Sequence, residues 1–434
     1  MRAVVLLLLV ACHEQELTPD ARVEVALVPT SANSDLDLLF VIDDSTALLD
    51  TQIAVVSAFP SLTDQLDALS SGRPNLHVGV VSPDLGTLGA LDSEPGPSIG
   101  SGPGSCSGSG KAGILQNPGS IVTGRYIVDL ATGDTRTTNY SGSIGDAFKS
   151  IASLGSYTCG FEQHLQAMKR GLENNVENAG FLRLEARLAV IVFTDEDDCS
   201  FAHSSFVSTD TSLYGPLQSF RCSHFGITCD VGGATPDEMN ELGPKSNCHA
   251  NETAEILMHP SDYVTFLQSL KADPRDVMFG TLAGDPIVDV ELITPPGGGA
   301  GTPALANICA PHDAIAPSVR LAEMPAQLHR GSFESVCASD MRPAMTSFGR
   351  QLRNLVGDAC LARDIALPAD CRVFDQTRSA ESELPLCDKT IVTDCYQLVE
   401  DPSCTAGQHL RVDVIRSALP SPDTMVSVRC LPEP

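Results

Sequence analysis

The apolar run from Leu36 to Ile42 ends abruptly in Asp43, Asp44, Ser45 and Thr46. A second run, Leu188 to Phe193 in "LAVIVFTDEDD", ends in the same manner, in Thr194 and Asp195 followed by Glu196, Asp197 and Asp198. Carboxylates and hydroxyls are hard oxygen donors. Several of them converging suit a hard divalent cation, Mg²⁺ first, with Mn²⁺ or Ca²⁺ as alternatives. Nucleophilic catalysis needs an activated group and a base. The chain has no G-x-S-x-G elbow and no Ser–His pair suggested by position, so an enzyme is not expected. One hydrolytic alternative is a metal-dependent phosphatase type, with Asp43 as nucleophile and the "DEDD" turn holding metal. It fits less well, because Asp43 and Asp44 are adjacent rather than one residue apart, and basic residues to hold phosphate are missing near both loops. Gly110-Lys111 suggests a phosphate-binding loop, but Ser105 stands where that motif needs Gly and Ala112 where it needs Ser or Thr.

Both acidic clusters follow strand-like runs, and ligands in open parallel sheets bind at the carboxyl ends of strands. The remaining periodicity agrees with such a sheet. A helix is predicted from about Leu48 to Leu69, its apolar face made of Leu49, Ile53, Val56, Phe59, Leu62, Leu66 and Leu69, with a kink at Pro60. "LHVGVVSPDLG" reads as a second strand and "GRYIVDL" as a short one. Two helices follow, one with Ile144, Ala147, Phe148, Ile151 and Leu154 and one with Phe161, Leu165, Met168 and Leu172. Beyond Asp195 come a helix near Ser261 to Ala272, a strand in "DVMFGTLAGD", and a helix from about Asp340 to Val356 closed by Gly357. Apolar strands separated by amphipathic helices indicate an α/β fold, a doubly wound, mostly parallel sheet covered on both faces. Large insertions are expected near 87–140, 199–250 and 286–330, the first rich in Gly and Ser.

The whole chain sets further limits. Its 434 residues allow one large α/β domain, read as 34–357, and a smaller module at 358–434. The tail holds six cysteines and two strands, "HLRVDVIR" and "MVSVRC", joined by a Pro-Ser-Pro-Asp turn, so a small disulfide-rich β module is expected. A formal charge of −28, from 27 basic and 55 acidic residues, argues against nucleic acid, which needs clustered Lys and Arg. The N-terminus carries Arg2, an apolar stretch from Ala3 to Val10, and Cys12, too short to span a bilayer. Residues 13–33 read as a polar tether with one edge strand at Val23 to Val28. Fifteen cysteines less Cys12 leave fourteen, eight between Cys106 and Cys337 and six in the tail, an even division that suggests two closed disulfide sets in an oxidising compartment. Cys222, His224, Cys229, Cys248 and His249 match no familiar zinc spacing and are expected to form disulfides where they are cysteines. Asp197 and Asp198 read as a solvated acidic turn, with outer-shell support of a cation as the alternative.

Two resemblances sharpen these expectations. Leu9-Val10-Ala11-Cys12 is similar to a bacterial lipobox, which implies a 1–12 signal peptide, lipidation of Cys12 and attachment to the outer membrane through that lipid alone. "DLLFVIDDSTALLDTQ" followed far downstream by "LAVIVFTDEDD" resembles a von Willebrand factor A (VWA) domain, a Rossmann-like fold. In that family an Asp-x-Ser-x-Ser loop, a Thr from a second loop and a later Asp form a metal-ion-dependent adhesion site. Carried over by position, the ligands are Asp43, Ser45, Thr158 and Asp195, with Asp44, Asp197 and Asp198 as outer-shell candidates. The second Ser falls on Ala47, which has no oxygen, and Thr46 is out of register. "TDEDDCS" and "CGFEQ" also resemble Cys-rich VWA lipoproteins of deltaproteobacteria. The resemblance implies a protein ligand captured through an acidic side chain. The alternative is a structural envelope protein with a vestigial metal site. A Cys159–Cys199 disulfide would clamp the two ligand loops together, unless Cys199 pairs within the 199–250 insertion.

Overall fold

The computed structural model describes residues 22–30, 35–69, 72–173, 175–286, 289–294, 303–309, 315–402, 404, 407–421 and 423–431. The expected signal peptide, Cys12 and most of the expected tether lie outside them. Seven strands form the central sheet, in the order Gly331–Ser335, Val277–Ala283, Arg187–Phe193, Asp35–Ile42, Asn75–Val81, Ile127–Thr132 and Thr135–Thr138. The first five run parallel; the last two form an antiparallel edge. The strand Asp35–Ile42 lies in the middle, and this position explains its composition. Leu38, Phe40 and Ile42 enter one core and Leu39 and Val41 the other, because successive side chains point to opposite faces.

Helices cover both faces. Leu49–Asp67, Ile144–Ala152 and Arg342–Val356 pack on one side and His164–Leu172, Pro260–Ser269 and Val319–Gln327 on the other. The first core centres on Phe40, Phe59 and Phe148, the last two stacked with ring centroids 3.8 Å apart. Helix Ile144–Ala152 starts on a capping box, in which the Ser143 hydroxyl accepts from the Asp146 N–H and Asp146 accepts from the Ser143 N–H. Ser143→Ala is expected to cost about 1 kcal/mol, readable as a lower urea midpoint with unchanged slope. The helix after Asp43 buries Gln52, Val55, Val56, Phe59, Leu62 and Leu66 but exposes Leu49 and Ile53, so its inward face is rotated from the expected one.

Three further departures concern the insertions and the tail. Segment 286–330, expected to be loop, contains the strand Val290–Ile293 and the helix Val319–Gln327. The strand Gly331–Ser335 was not anticipated at all. The two expected tail strands do not form a hairpin with each other. Leu410–Ile415 pairs with Cys395–Glu400, whereas Met425–Cys430 pairs with Cys371–Gln376 and, on its other side, with Val23–Pro29. The strand expected within the tether is therefore part of the C-terminal sheet, and it also touches helix Arg342–Val356.

Seven disulfides use fourteen of the fifteen cysteines, leaving Cys12. Four lie between Cys106 and Cys337 and three in the tail, with no crossing between the sets. Cys159 pairs with Cys106 rather than Cys199, and Cys199 pairs with Cys222 inside the insertion. Each ligand loop is thus stapled to its own insertion, not to the other loop. Cys229–Cys248 closes the hairpin Ile227–Val231/Gly243–Ala250, so Cys222, Cys229 and Cys248 form disulfides rather than thiolate zinc ligands. Seven disulfides fit an exported chain in an oxidising compartment. Among the described residues no helix is long and apolar enough to cross a membrane.

Candidate metal centre

The loops after Ile42 and Phe193 are neighbours because their strands pair in parallel register, Ile42 opposite Phe193. The Asp43 N–H continues that ladder onto the Phe193 carbonyl at 3.0 Å. The fully buried Asp43 carboxylate then accepts from the Ser45 N–H at 2.7 Å and from the Thr194 hydroxyl at 2.8 Å. Gln52 fixes the loop by donating to the Asp43 carbonyl. Asp195 is 2% exposed and stands in the field of the Asp43 carboxyl. The third loop comes from the Cys106–Cys159 staple, with Thr158 directly before Cys159. Thr46 donates to the Ser156 carbonyl at 3.0 Å, which ties this loop to the first and commits the Thr46 hydroxyl elsewhere. Ala47 is exposed and offers no oxygen.

Three atoms carry the chemical argument. Ser45 Oγ, Thr158 Oγ1 and Asp195 Oδ1 are all shielded from solvent, and none has a hydrogen-bond partner among the described residues. A buried oxygen left unpaired costs about 1–3 kcal/mol, and here three such oxygens belong to the three loops that end around Asp43. Two carboxylates and two hydroxyls fit a hard divalent cation that keeps several waters. Among the described residues, no three His, Cys, Asp or Glu side chains converge to hold a metal by themselves; the hydroxyls are what complete this set.

The surrounding charges point the same way. Glu162 is 3% exposed and Glu196 half-buried, and both stand in the field of Asp43. Burial, then Glu196 and Asp43, push the Glu162 carboxyl well above its ordinary value. Glu196 is pushed up to about 7 by burial and by Asp43, and Asp195 up to about 9 by burial, Asp43 and Glu196. Asp43 itself is held below its ordinary value: burial raises it, but His164, the Ser45 N–H and the Thr194 hydroxyl outweigh that. His164 is fully buried, both ring nitrogens lack hydrogen-bond partners, and Nε2 lies 3.9 Å from Asp43 Oδ2. Four carboxyl groups act on one another here beside His164 and Lys111, and an added cation relieves their repulsion.

The outer-shell candidates divide. Asp44 is buried; it accepts from the Ser82 hydroxyl at 2.6 Å and from Lys111, beside the site. Asp197 and Asp198 are not a solvated turn. Asp197 accepts the Arg320 and Leu321 N–H groups at 2.8 and 3.0 Å, and Asp198 accepts the Leu165 N–H, Ser200 and Arg320. Both are buried and hold the Asp195 loop from behind. Sequence reasoning missed Glu162, His164 and Lys111. The available signal was "TCGFEQH", a Glu and a His within six residues of Thr158.

No family model matches the chain, and no curated protein does. Among solved structures, the human COPII-coat protein Sec24c aligns at 12% identity with a TM-score of 0.32, covering 93% of this chain and 40% of that one. The pilus adhesin SpaC from Lactobacillus rhamnosus GG, in its open conformation, aligns at 8% identity and TM-score 0.32, covering 93% and 39%. Another form of that adhesin aligns at 9% identity and TM-score 0.30, covering 93% and 40%. These are distant likenesses, and the chain spans about two-fifths of the length of each.

Proposed function

We propose that this chain is a cell-envelope lipoprotein whose VWA-like domain binds a protein partner through a divalent cation, Mg²⁺ foremost, and that it is not an enzyme. The observation that carries the reading is the set of buried, partnerless oxygens on Ser45, Thr158 and Asp195, gathered around a buried Asp43. When bound, the cation supplies a positive centre able to accept an oxygen ligand from a partner's acidic side chain. The chain's own residues do the rest. Asp43 and Asp195 provide charge, Ser45 and Thr158 complete the oxygen set, and the buried strands fix the loops. Anchoring is proposed at Cys12, the cysteine left after the seven disulfides, with domain limits at 34–357 and 358–434.

A second reading, a structural envelope protein with a vestigial site, is favoured by Ala47, which removes one oxygen from the first loop. Thermal unfolding of the protein in Mg²⁺, Mn²⁺ or Ca²⁺ against excess EDTA separates the two. A cation that binds only the folded state adds about 2.7 kcal/mol at 100 times its Kd, a saturable upward shift of the midpoint. If none of the three cations moves the midpoint, the metal reading is lost and the vestigial one stands.

A further inference from the structure

The Gly- and Ser-rich insertion that fails as a phosphate loop delivers one basic side chain to the rim of the site. Lys111 Nζ donates to Asp44 Oδ2 and, at 3.4 Å, to the Tyr157 carbonyl. The first acceptor directly follows Asp43 and the second directly precedes Thr158, so this ammonium spans two of the three ligand loops. Its placement is built rather than adventitious. The Lys111 N–H donates to the Asp84 carbonyl at 2.7 Å. Gly110 before it has φ +52°, and a Cβ there would stand 2.3 Å from Asp84 Oδ1. The Cys106–Cys159 disulfide ties the same insertion to the Thr158 loop. Asp44, which anchors the ammonium, is itself fully buried and held by Ser82.

An ammonium has three N–H donors, and two are taken. The Lys111 side chain keeps 25% of its surface exposed, and among the described residues its Nζ has no third acceptor. Beside it Tyr157, whose carbonyl accepts from Lys111, is 75% exposed. A net charge of −28 repels acidic partners in general; Lys111 is a basic side chain held beside the site.

We infer that Lys111 is the second attachment point for a partner's carboxylate, one oxygen of an Asp or Glu side chain binding at the Asp43–Ser45–Thr158–Asp195 site and the other accepting from Lys111 Nζ. This rests on the metal reading above. It narrows the partner to a protein segment that presents an acidic residue beside a bulky apolar one, matching the exposed Tyr157 ring next to Lys111.

The test uses short fluorescent peptides centred on Glu-Leu or on Gln-Leu, titrated with the full chain in Mg²⁺ and followed by anisotropy, with Mg²⁺ binding measured separately by calorimetry. Wild type is expected to prefer the Glu peptide, and EDTA to erase the preference. Lys111→Met should lose about tenfold of it, the strength of one charge-assisted hydrogen bond, while still binding Mg²⁺; Lys111→Arg should recover part. Lys111→Met leaves Asp44 without a donor, so Lys111→Gln, which keeps an N–H for Asp44 but no charge, serves as the folded counterpart and should behave like Lys111→Met. If either variant keeps the full preference, the inference is overturned. If wild type binds Mg²⁺ but treats the two peptides alike, the inference falls and the metal reading survives. If wild type binds no Mg²⁺, the metal reading falls and takes this inference with it.

Discussion

Arg320→Met is expected to lower the unfolding free energy by about 3–5 kcal/mol, the cost of leaving one member of a buried ion pair alone. Arg320 is fully buried, and so is Asp198, whose carboxylate its guanidinium meets at 3.2 Å. The same guanidinium donates to the carbonyls of Asp198, Gly226 and Met258 at 3.0, 3.3 and 2.7 Å. It therefore stitches the turn after Asp195 to the Cys-rich insertion and to the segment before helix Pro260–Ser269. Methionine fills similar space but supplies no donor, so one carboxylate and three carbonyls each lose a donor together. Arg320→Lys should recover only part, because an ammonium cannot reproduce the planar fork. Asp198 also accepts the Leu165 N–H, so the loss reaches the helix behind Thr158 and should weaken cation binding as well. A urea melt of Arg320→Met within about 1 kcal/mol of wild type would show that this network is not a stabilising one.

Asp195→Asn should produce two changes of opposite sign. Without metal, the folded Asp195 carboxyl is pushed up to about 9, by burial first and then by Asp43 and Glu196. In the unfolded chain it ionises near its ordinary value, about 4. The fold must hold a proton that the unfolded chain releases. This residue's share of stability is therefore complete below about pH 4 and is lost as pH climbs towards 9. Asparagine has no proton to hold. The metal-free variant is expected to be more stable than metal-free wild type, by a margin that widens from about pH 5 to about pH 8. Mg²⁺ should then reverse the order, because wild type gains about 2.7 kcal/mol at 100 times its Kd and the variant gains little. Melting curves with EDTA at both pH values, then with Mg²⁺, read out both effects. A variant less stable than wild type throughout, or one with an undiminished Mg²⁺ shift, would remove Asp195 from the site.

The parts of this molecule that could be read directly are those whose causes are local. The strands Asp35–Ile42 and Arg187–Phe193 are buried on both faces, and their unbroken apolar runs say so. Asp43, Ser45 and Asp195 follow from where such strands end. Glu162, His164 and Lys111 do not, because tertiary placement of three separate loops, one of them a long insertion, brings them to Asp43. Helix Leu49–Asp67 was legible as an element, but its inward face was misjudged at Leu49 and Ile53. Those two residues occupy the first turns, and being apolar did not place them on the packed side. Gly331–Ser335 reads "GSFES", too short and polar to announce a strand; pairing with Val277–Ala283 at the sheet edge makes it one. The even split of cysteines indicated two sets, yet partners within a set depend on geometry, as Cys106 shows by reaching Cys159 across 53 positions.

The ladder between Val23–Pro29 and Met425–Cys430 imposes an order of assembly. Ser427 donates to Glu24 across 403 positions. A contact of such sequence separation forms late, because the closure entropy must be met before the pairing rewards it. During synthesis and export, residues 23–29 emerge early and then wait, an apolar strand with both edges bare, until residues 425–430 follow. Such an edge invites pairing with another chain. The interval before these two strands meet is therefore when this protein is most open to misassociation, and a holdase chaperone would have its natural target in the sequence "VEVALVP".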